Sequence, residues 1–533
     1  MENTLYYGDN LDILRKYIKD ESIDLIYLDP PFNSKADYNI LYKEPNGTQS
    51  VSQIQAFSDF WHWDEQAEKT YEYLLENPSV PERVKRLVRA LYDFLGNNDM
   101  SAYLVMMAAR LIELRRVLKD TGSIYLHCDP TASHYLKLVM DAVFSAKNFR
   151  AEIIWKRTFA HSNAKTYGGV HDIILFYSKG DNWTWNNQFQ QYDQKYLSSH
   201  YNLKDKNGKY LQLTALIAPG KGYVYEWKGV TKNWRLPKES MEKLESEGRL
   251  YYTKNGTARY IRYLDEMPGT PLQDVWTDIP PINSQAKERL GYPTQKPLEL
   301  LERIIKASSN EGDVVLDPFC GCGTALDAAE KLHRHWIGID ITHLAINVIR
   351  KRLKDRYPNV NFVTIGEPTD LAGARELAQN DRYQFQWWAL ALVDAVPFNE
   401  KKKGADTGID GVIYNPARGI GKDYYGVVQV KSGHVNSAQI RDFKGTIERE
   451  KADYGIFITL EEPTRDMNTE AVTAGYFTSH WGDQIPKIQI ITIESLLNGE
   501  KPKYPTPSQS YMKAKKADRE KPDENFSRMD KFT

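Results

Sequence analysis

Cysteine is almost missing from this chain: Cys128, Cys320 and Cys322 are the only three among 533 residues. No disulfide framework and no zinc-ligand spacing can be built from them. No apolar run approaches the roughly 18 residues of a membrane helix, and the N-terminus lacks the pattern of a secretory signal. A reducing, cytoplasmic setting without membrane contact is therefore expected. Net charge is also nearly absent, 70 Lys and Arg facing 71 Asp and Glu. This excludes a polybasic nucleic-acid coat but leaves room for basic residues gathered on one face. No GxxxxGK[ST] sequence occurs, so the chain carries no P-loop and no ATP motor of that kind.

What is present points to two or three domains, because one core does not grow to 533 residues. Hydrophobic residues make up 41%, enough for sizeable cores. The 34 Tyr and 12 Trp supply those cores and offer faces for base stacking. The pattern predicts strands at Leu5–Tyr7 and Asp24–Leu28, with a helix over Leu11–Lys19 between them. A long helical stretch over Pro81–Leu118 comes next, with a core face around Met106, Met107 and Ala108, then a strand over Gly122–His127. Mixed turn-forming, charged and aromatic residues over 182–273 read as an inserted recognition region. The α/β alternation resumes at Pro297–Ala307, Val314–Leu316 and Trp336–Ile339. A linker is expected over 366–382 and a second α/β domain over 383–500. That domain has a helix at Phe385–Val396 and strands at Gly411–Tyr414, Tyr425–Val430, Ile456–Thr459 and Ile488–Ile493. The charged, Pro-containing stretch 501–533 reads as a disordered tail.

Two segments carry chemistry. The first, Val314–Thr324, reads as strand, tight loop and helix start, with Asp317, Phe319, Gly321, Gly323 and Thr324 in the loop. Its glycines let a ligand approach the backbone. Asp340 ends the next strand, where an acid is placed to hold ribose hydroxyls. A dinucleotide fingerprint fails because Leu326 stands where a third small residue is required. The loop therefore suits a ribose-bearing ligand without a pyrophosphate.

The second is Asp29-Pro30-Pro31-Phe32, at the C-terminal end of a strand, where open α/β sheets form their ligand crevice. Two prolines stiffen the loop and remove two N–H donors, leaving a carboxylate and a main-chain carbonyl as acceptors. Both can accept from one exocyclic amine, which draws its lone pair out of ring conjugation and readies the nitrogen to attack a methyl sulfonium. Phe32 offers a stacking face, and a base must leave its duplex to arrive there.

These motifs resemble those of the amino-methyltransferases of DNA, the N6-adenine and N4-cytosine enzymes. Asp-Pro-Pro-Phe first, and the Phe319-x-Gly321-x-Gly323 loop about 290 residues later, resembles the permuted β class, with its recognition region between the two. The resemblance spans 1–365, is closest to the stand-alone or type III-like adenine enzymes, and implies a Rossmann-like fold using S-adenosylmethionine. Within it, Thr294, Lys296 and Pro297 of the Tyr292–Pro297 segment resemble a cofactor-binding stretch. Asp9 of Gly8-Asp9-Asn10 resembles the acid that contacts the cofactor's adenine. The strand end Gly122–Asp129 resembles the strand after the catalytic loop. An Asp at the first motif position, here Asp29, favours adenine in this family, whereas Ser favours cytosine. A homodimer is expected by analogy only.

In the C-terminal region, Asp410 precedes a strand, and Gln429 and Lys431 share one face of the next, because residues i and i+2 of a strand point the same way. Asp410 can bind a divalent metal such as Mg2+, and Lys431 can stabilise developing phosphate charge. This cluster resembles the PD-(D/E)xK fold of Mrr-like restriction endonucleases, with Gln429 in place of the second acid. A further residue from the upstream helix is expected among Gln386, Glu376 and Asp381. The reading is an α/β chain that methylates double-stranded DNA and cuts DNA lacking the mark. Two alternatives stay open: a C-terminal domain that only binds DNA, and a modification subunit served by a separate motor.

Overall fold

A computed structural model of the chain describes residues 2–31, 63–159, 167–283, 286–290, 292, 294–398, 408–415, 424–480 and 482–505, and the backbone of strands 37–43 and 49–58. Phe32 and the tail from 506 onward lie outside the described residues. By contacts the chain divides into 1–186 with 274–533, and 187–273.

The first unit is built on a nine-stranded sheet. Its strands are β1 (Asn3–Tyr7), β2 (Ile23–Leu28), β3 (Leu118–Cys128), β4 (Phe149–Lys156), β5 (His171–Ser178), β6 (Val275–Trp276), β7 (Val314–Asp317), β8 (His335–Asp340) and β9 (Phe362–Ile365). Their spatial order is β6-β4-β5-β3-β2-β7-β8-β1-β9. Both pairings of β5, with β3 and with β4, are antiparallel, and every other pairing is parallel. Central strands are apolar on both faces, as a covered parallel sheet requires. Ile26, Leu28, Ile124 and Leu126 enter one core layer, while Leu25, Tyr27 and Tyr125 enter the other.

The helices that cover and flank this sheet include α1 (Asn10–Tyr17), α2 (Asp99–Val117), α3 (Leu298–Ser308), α4 (Thr324–Lys331) and α5 (His343–Arg356). The helical stretch expected over 81–118 is two helices, Glu82–Leu95 and Asp99–Val117. Gly96 at φ 76° ends the first, and the Asn98 side chain caps the second by accepting from Ser101 N. Leu118 then enters β3, so that strand begins four residues earlier than expected.

The C-terminal part forms a five-stranded sheet in sequential order: β10 (Val396–Pro397), β11 (Gly411–Asn415), β12 (Tyr424–Lys431), β13 (Tyr454–Thr459) and β14 (Ile488–Thr492). The last three run parallel. The helix expected over 385–396 is α6 (Arg382–Leu392). It stops in a turn at Val393 and Asp394, the latter at φ 55°, before Val396–Pro397 pairs in the sheet. The stretch expected as linker is not bare chain, since Leu371–Asn380 is a helix capped by Asp370.

The unit 187–273 has its own four-stranded antiparallel sheet, a hairpin of Tyr223–Trp227 with Val230–Trp234, and a small core of Leu216, Trp227, Trp234, Met241 and Ala258. It starts five residues later than the inserted region read from composition. Asn186 belongs to the other unit, its main chain donating to Ala307 and its side chain to Lys306 and Ser309.

Candidate active sites

The C-terminal ends of β1, β2, β7 and β8 open onto one pocket. It is lined by Asp9, Asp29, Pro30, Pro31, Thr294, Lys296, Asp317, Phe319, Gly321, Thr324 and Asp340, among others. Residues expected from motifs more than 280 positions apart therefore meet in one place. Gly323 and Pro297 do not line it. Gly323, at φ 75°, holds the turn into α4, and a Cβ there would stand 2.8 Å from Ile349 Cγ1. Pro297 occupies the N-cap position of α3.

The glycine loop is a tight turn in which Gly323 N donates to Cys320 O at 2.7 Å. Gly321 is at φ 48°, and its N–H donates to Asp340 Oδ2 at 2.9 Å. Thr342 donates to Asp340 Oδ1 through both its amide and its hydroxyl, each at 2.9 Å. Burial nevertheless pushes the Asp340 carboxyl up to about 6, the hydrogen bonds opposing it. Asp317 is fully buried and accepts from Phe319 N at 3.1 Å. Burial, and then the charges of Asp29 and Asp340, hold its carboxyl well above the usual range.

Asp9 lines the pocket and is also tied into the fold. One carboxylate oxygen caps α1 through Leu11 N at 2.7 Å, and the other pairs with Arg110 at 2.7 Å. Arg110 also donates to Asn10 Oδ1 at 2.5 Å, while the Asn10 amide donates to Pro318 O at 2.7 Å, tying the start of α1 to the glycine loop. Sequence reading missed Tyr27, Arg110 and Thr342 in this pocket, and quoted Asn10 and Tyr292 only as members of their motifs. The one local signal was Arg110, a charge inside the apolar run of α2.

Asp29 stands at the mouth of β2. Its Oδ2 is held by the Lys296 ammonium, which also donates to Thr294 O at 3.3 Å. Its Oδ1 is buried and accepts no hydrogen bond among the described residues. An orphaned buried acceptor costs on the order of 1–3 kcal/mol, so it marks the place where a donor belongs. The pocket thus combines a cradle of glycines, two acids at strand ends and one waiting acceptor. That set fits a ribose-bearing cofactor and an amino group brought beside it.

In the C-terminal sheet, Asp410 immediately precedes β11. Its Oδ1 accepts from Gln386 Nε2 at 2.9 Å and its Oδ2 from Val430 N at 2.7 Å. Of the three upstream candidates Gln386 on α6 is the one that contacts Asp410: Glu376 is exposed, and Asp381 caps α6 by accepting from Tyr383 N and Gln384 N. Gln429 is buried and Lys431 half-buried on β12. Among the described residues no group of three or more His, Cys, Asp and Glu side chains is placed to hold a metal. The oxygen donors on offer are the Asp410 carboxylate and the side-chain carbonyls of Gln386 and Gln429.

Helix α6 touches both parts. Gln384 Oε1 accepts from His343 N at the start of α5, at 3.0 Å. Trp387 packs against Tyr292, Cys322, Leu344, Ala345 and Val348, and the first two of these line the pocket. Gln386, one residue away, holds Asp410.

Comparison with known proteins agrees with both halves. A DNA methylase family model matches residues 23–351, and a restriction endonuclease family model matches 377–491. The type II methyltransferase M.EcaI of Enterobacter cloacae is 34% identical over 283 residues, 51% of this chain and 62% of that protein. The StyLTI Mod subunit of a type III restriction-modification enzyme from Salmonella typhimurium is 27% identical over 353 residues, 62% and 50% of the two chains. The DNA adenine methyltransferase YhdJ of Escherichia coli is 26% identical over 353 residues, 66% and 82%. The chain spans about half to three-fifths of the length of the first of these relatives. A DNA modification methylase from Thermus thermophilus, solved with S-adenosylmethionine, is 16% identical with a TM-score of 0.34, over 68% of this chain and all of that one. Among the described residues no helix is long and apolar enough to cross a membrane. The chain belongs to the N6/N4-type DNA methylase family, built on a Rossmann-like α/β sheet and joined to an Mrr-type restriction endonuclease domain.

Proposed function

We propose that this protein transfers a methyl group from S-adenosylmethionine to the N6 amine of adenine in double-stranded DNA. We further propose that its C-terminal domain cleaves DNA with the help of Mg2+. The observation that carries the first reading is the buried, unpartnered Oδ1 of Asp29 beside Pro30 and Pro31. A flipped-out base presents its amine there. Asp29 accepts one N–H, and a main-chain carbonyl of the proline loop accepts the other. The nitrogen lone pair is thereby freed for in-line attack. The bound cofactor supplies an electrophilic methyl group on sulfur. Asp340 and the glycine loop hold its ribose end, and Lys296 keeps Asp29 in place. Asp29, rather than Ser, supports adenine over cytosine. The compact 187–273 unit, rich in Tyr and Lys, is the region that selects the DNA sequence.

Nucleoside analysis of DNA incubated with the protein and cofactor tests this reading. N6-methyladenine is expected, N4-methylcytosine would overturn the base assignment, and Asp29→Ala abolishes transfer while largely sparing cofactor binding.

For the nuclease domain, Asp410 would hold the metal, Gln429 would support it, and Lys431 would stabilise the phosphate. Incubation of unmethylated DNA with Mg2+, comparing the protein with Lys431→Ala, tests it. A second reading has support of its own: both Asp410 oxygens already accept N–H donors. On that reading the domain binds DNA without cutting, or acts only with a separate motor subunit. Cleavage that appears only with an added ATP-dependent partner would favour it. A homodimer remains part of the proposal, tested by the solution mass.

A further inference from the structure

A row of buried polar side chains leads away from the pocket across three neighbouring strands. The Tyr27 hydroxyl on β2 hydrogen-bonds His127 Nδ1 on β3 at 2.8 Å. His127 Nε2 pairs with Asp172 Oδ2 on β5 at 3.1 Å. Asp172 Oδ1 in turn pairs with Arg157, just past β4, at 3.0 Å. His127 is 0% exposed and Asp172 1%. The Trp155 ring stands edge-on to the imidazole at 5.8 Å, and its own N–H is fixed on Ile279 O at 3.1 Å. Tyr27 is the pocket end of this row, since it lines the same cavity as Asp29, two residues along β2.

Burying a tyrosine, a histidine and a carboxylate together is costly unless they are paired with one another, as these three are, with the exposed Arg157 at the outer end of the row. Methyl transfer creates a need that Asp29 alone does not meet. As the amine lone pair forms the N–CH3 bond, the S–CH3 bond breaks and its electron pair stays on sulfur. The nitrogen is left cationic with one proton too many. Tyr27 cannot wait as a phenolate: burial, then the charges of Asp29, Asp317 and Asp172, keep its hydroxyl protonated far above neutral pH. It can take a proton only by surrendering its own in the same event, and the acceptor already in line is His127 Nδ1. Asp172 is suited to steady the imidazolium that results. Burial raises its carboxyl, but the hydrogen bond and charge of His127, then Lys296 and Arg157, outweigh this and keep it ionised. The order of groups is that of a tyrosine–histidine–aspartate relay, in which the last member fixes the tautomer and orientation of the second.

We propose that Tyr27 accepts the proton released from the methylated amine as it passes its own to His127, with Asp172 holding His127 in position. After the product leaves, His127 returns the proton through Tyr27 to water in the pocket. The charged or titratable groups around the imidazole are Tyr27 from β2, Asp172 from β5 and, beyond them, Asp29, Lys296 and Arg157. This inference rests on the methyl-transfer reading but not on the choice of base, since any exocyclic amine must shed the same proton.

Single-turnover methylation by the full chain, followed from pH 5.5 to 9, tests it. The variants are Tyr27→Phe, which removes one oxygen, and His127→Asn. Tyr27→Phe is expected to slow transfer at least tenfold with cofactor affinity within threefold, and to lose the solvent deuterium isotope effect. A Tyr27→Phe rate within twofold of the parent, with the same isotope effect, overturns the relay whatever His127→Asn does. Product analysis in the same samples reports the base separately, so a wrong base assignment and a wrong relay give different results.

Discussion

The Lys296 ammonium closes on the Asp29 carboxylate from 267 positions away, in the pocket where the glycine loop also ends. Both side chains are largely buried, at 9% and 16% exposure, so the pair works where water screens it little. Lys296 occupies Oδ2, while Oδ1 is buried and accepts no hydrogen bond among the described residues. Lys296→Met, close in length and without charge, should leave the buried carboxylate without its cation and free to rotate. Transfer is expected to fall about 100-fold, a few kcal/mol of lost positioning. Cofactor binding should fall much less. Equal losses in a binding titration and in the transfer rate would assign Lys296 to the cofactor instead.

Asp340 sets a pH dependence. Its carboxyl is pushed up to about 6 by burial, and only the ionised form offers both oxygens as acceptors to ribose hydroxyls. Affinity for S-adenosylmethionine should therefore weaken as pH falls from 7 to 5, by up to about tenfold for each unit below 6. Linkage runs the other way for the ligand-free fold. A carboxyl raised above its unfolded value takes up its proton more readily when folded, so this group adds stability as pH falls through 6 and costs stability above it. Calorimetric titrations at three pH values measure the first effect, and Asp340→Asn should flatten it.

Gln386 faces Asp410 with an amide where a carboxylate would supply another metal ligand. Gln386→Glu places two acids side by side, and Mn2+ or Mg2+ affinity is expected to rise about tenfold or more. Isothermal titration with Mn2+ measures it. Unchanged affinity would remove Gln386 from the proposed metal site.

Gly323 carries its prediction in its backbone. At φ 75°, with Ile349 where a Cβ would go, Gly323→Ala should cost about 1–3 kcal/mol of stability through strain and crowding. Denaturant unfolding reads this directly. Because Gly323 does not line the pocket, cofactor affinity should change less than it would for Gly321→Ala.

Much of this protein was legible in local order. Asp29-Pro30-Pro31 and the Gly321–Gly323 loop are short segments whose chemistry lies in consecutive residues, so they could be read before any fold was known. The Asp410–Gln429–Lys431 group was nearly as plain, because strand alternation alone puts Gln429 and Lys431 on one face. Boundaries were read less well. The helix expected over 81–118 breaks at Gly96, and the helix expected to reach Val396 stops at Leu392, in the turn at Val393 and Asp394.

The sequence by itself determined the motifs on offer, an Asp-Pro-Pro loop at a strand end, a glycine loop with its strand-end acid, and a nuclease-like strand pair, since each depends on neighbours along the chain. Only the tertiary structure decided which residues complete them. Lys296 reaches Asp29, Arg110 occupies Asp9, Gln386 contacts Asp410, and Tyr27, His127 and Asp172 line up on one face of three strands. These partnerships are set by sheet order and helix docking across tens to hundreds of residues, and no local periodicity encodes them.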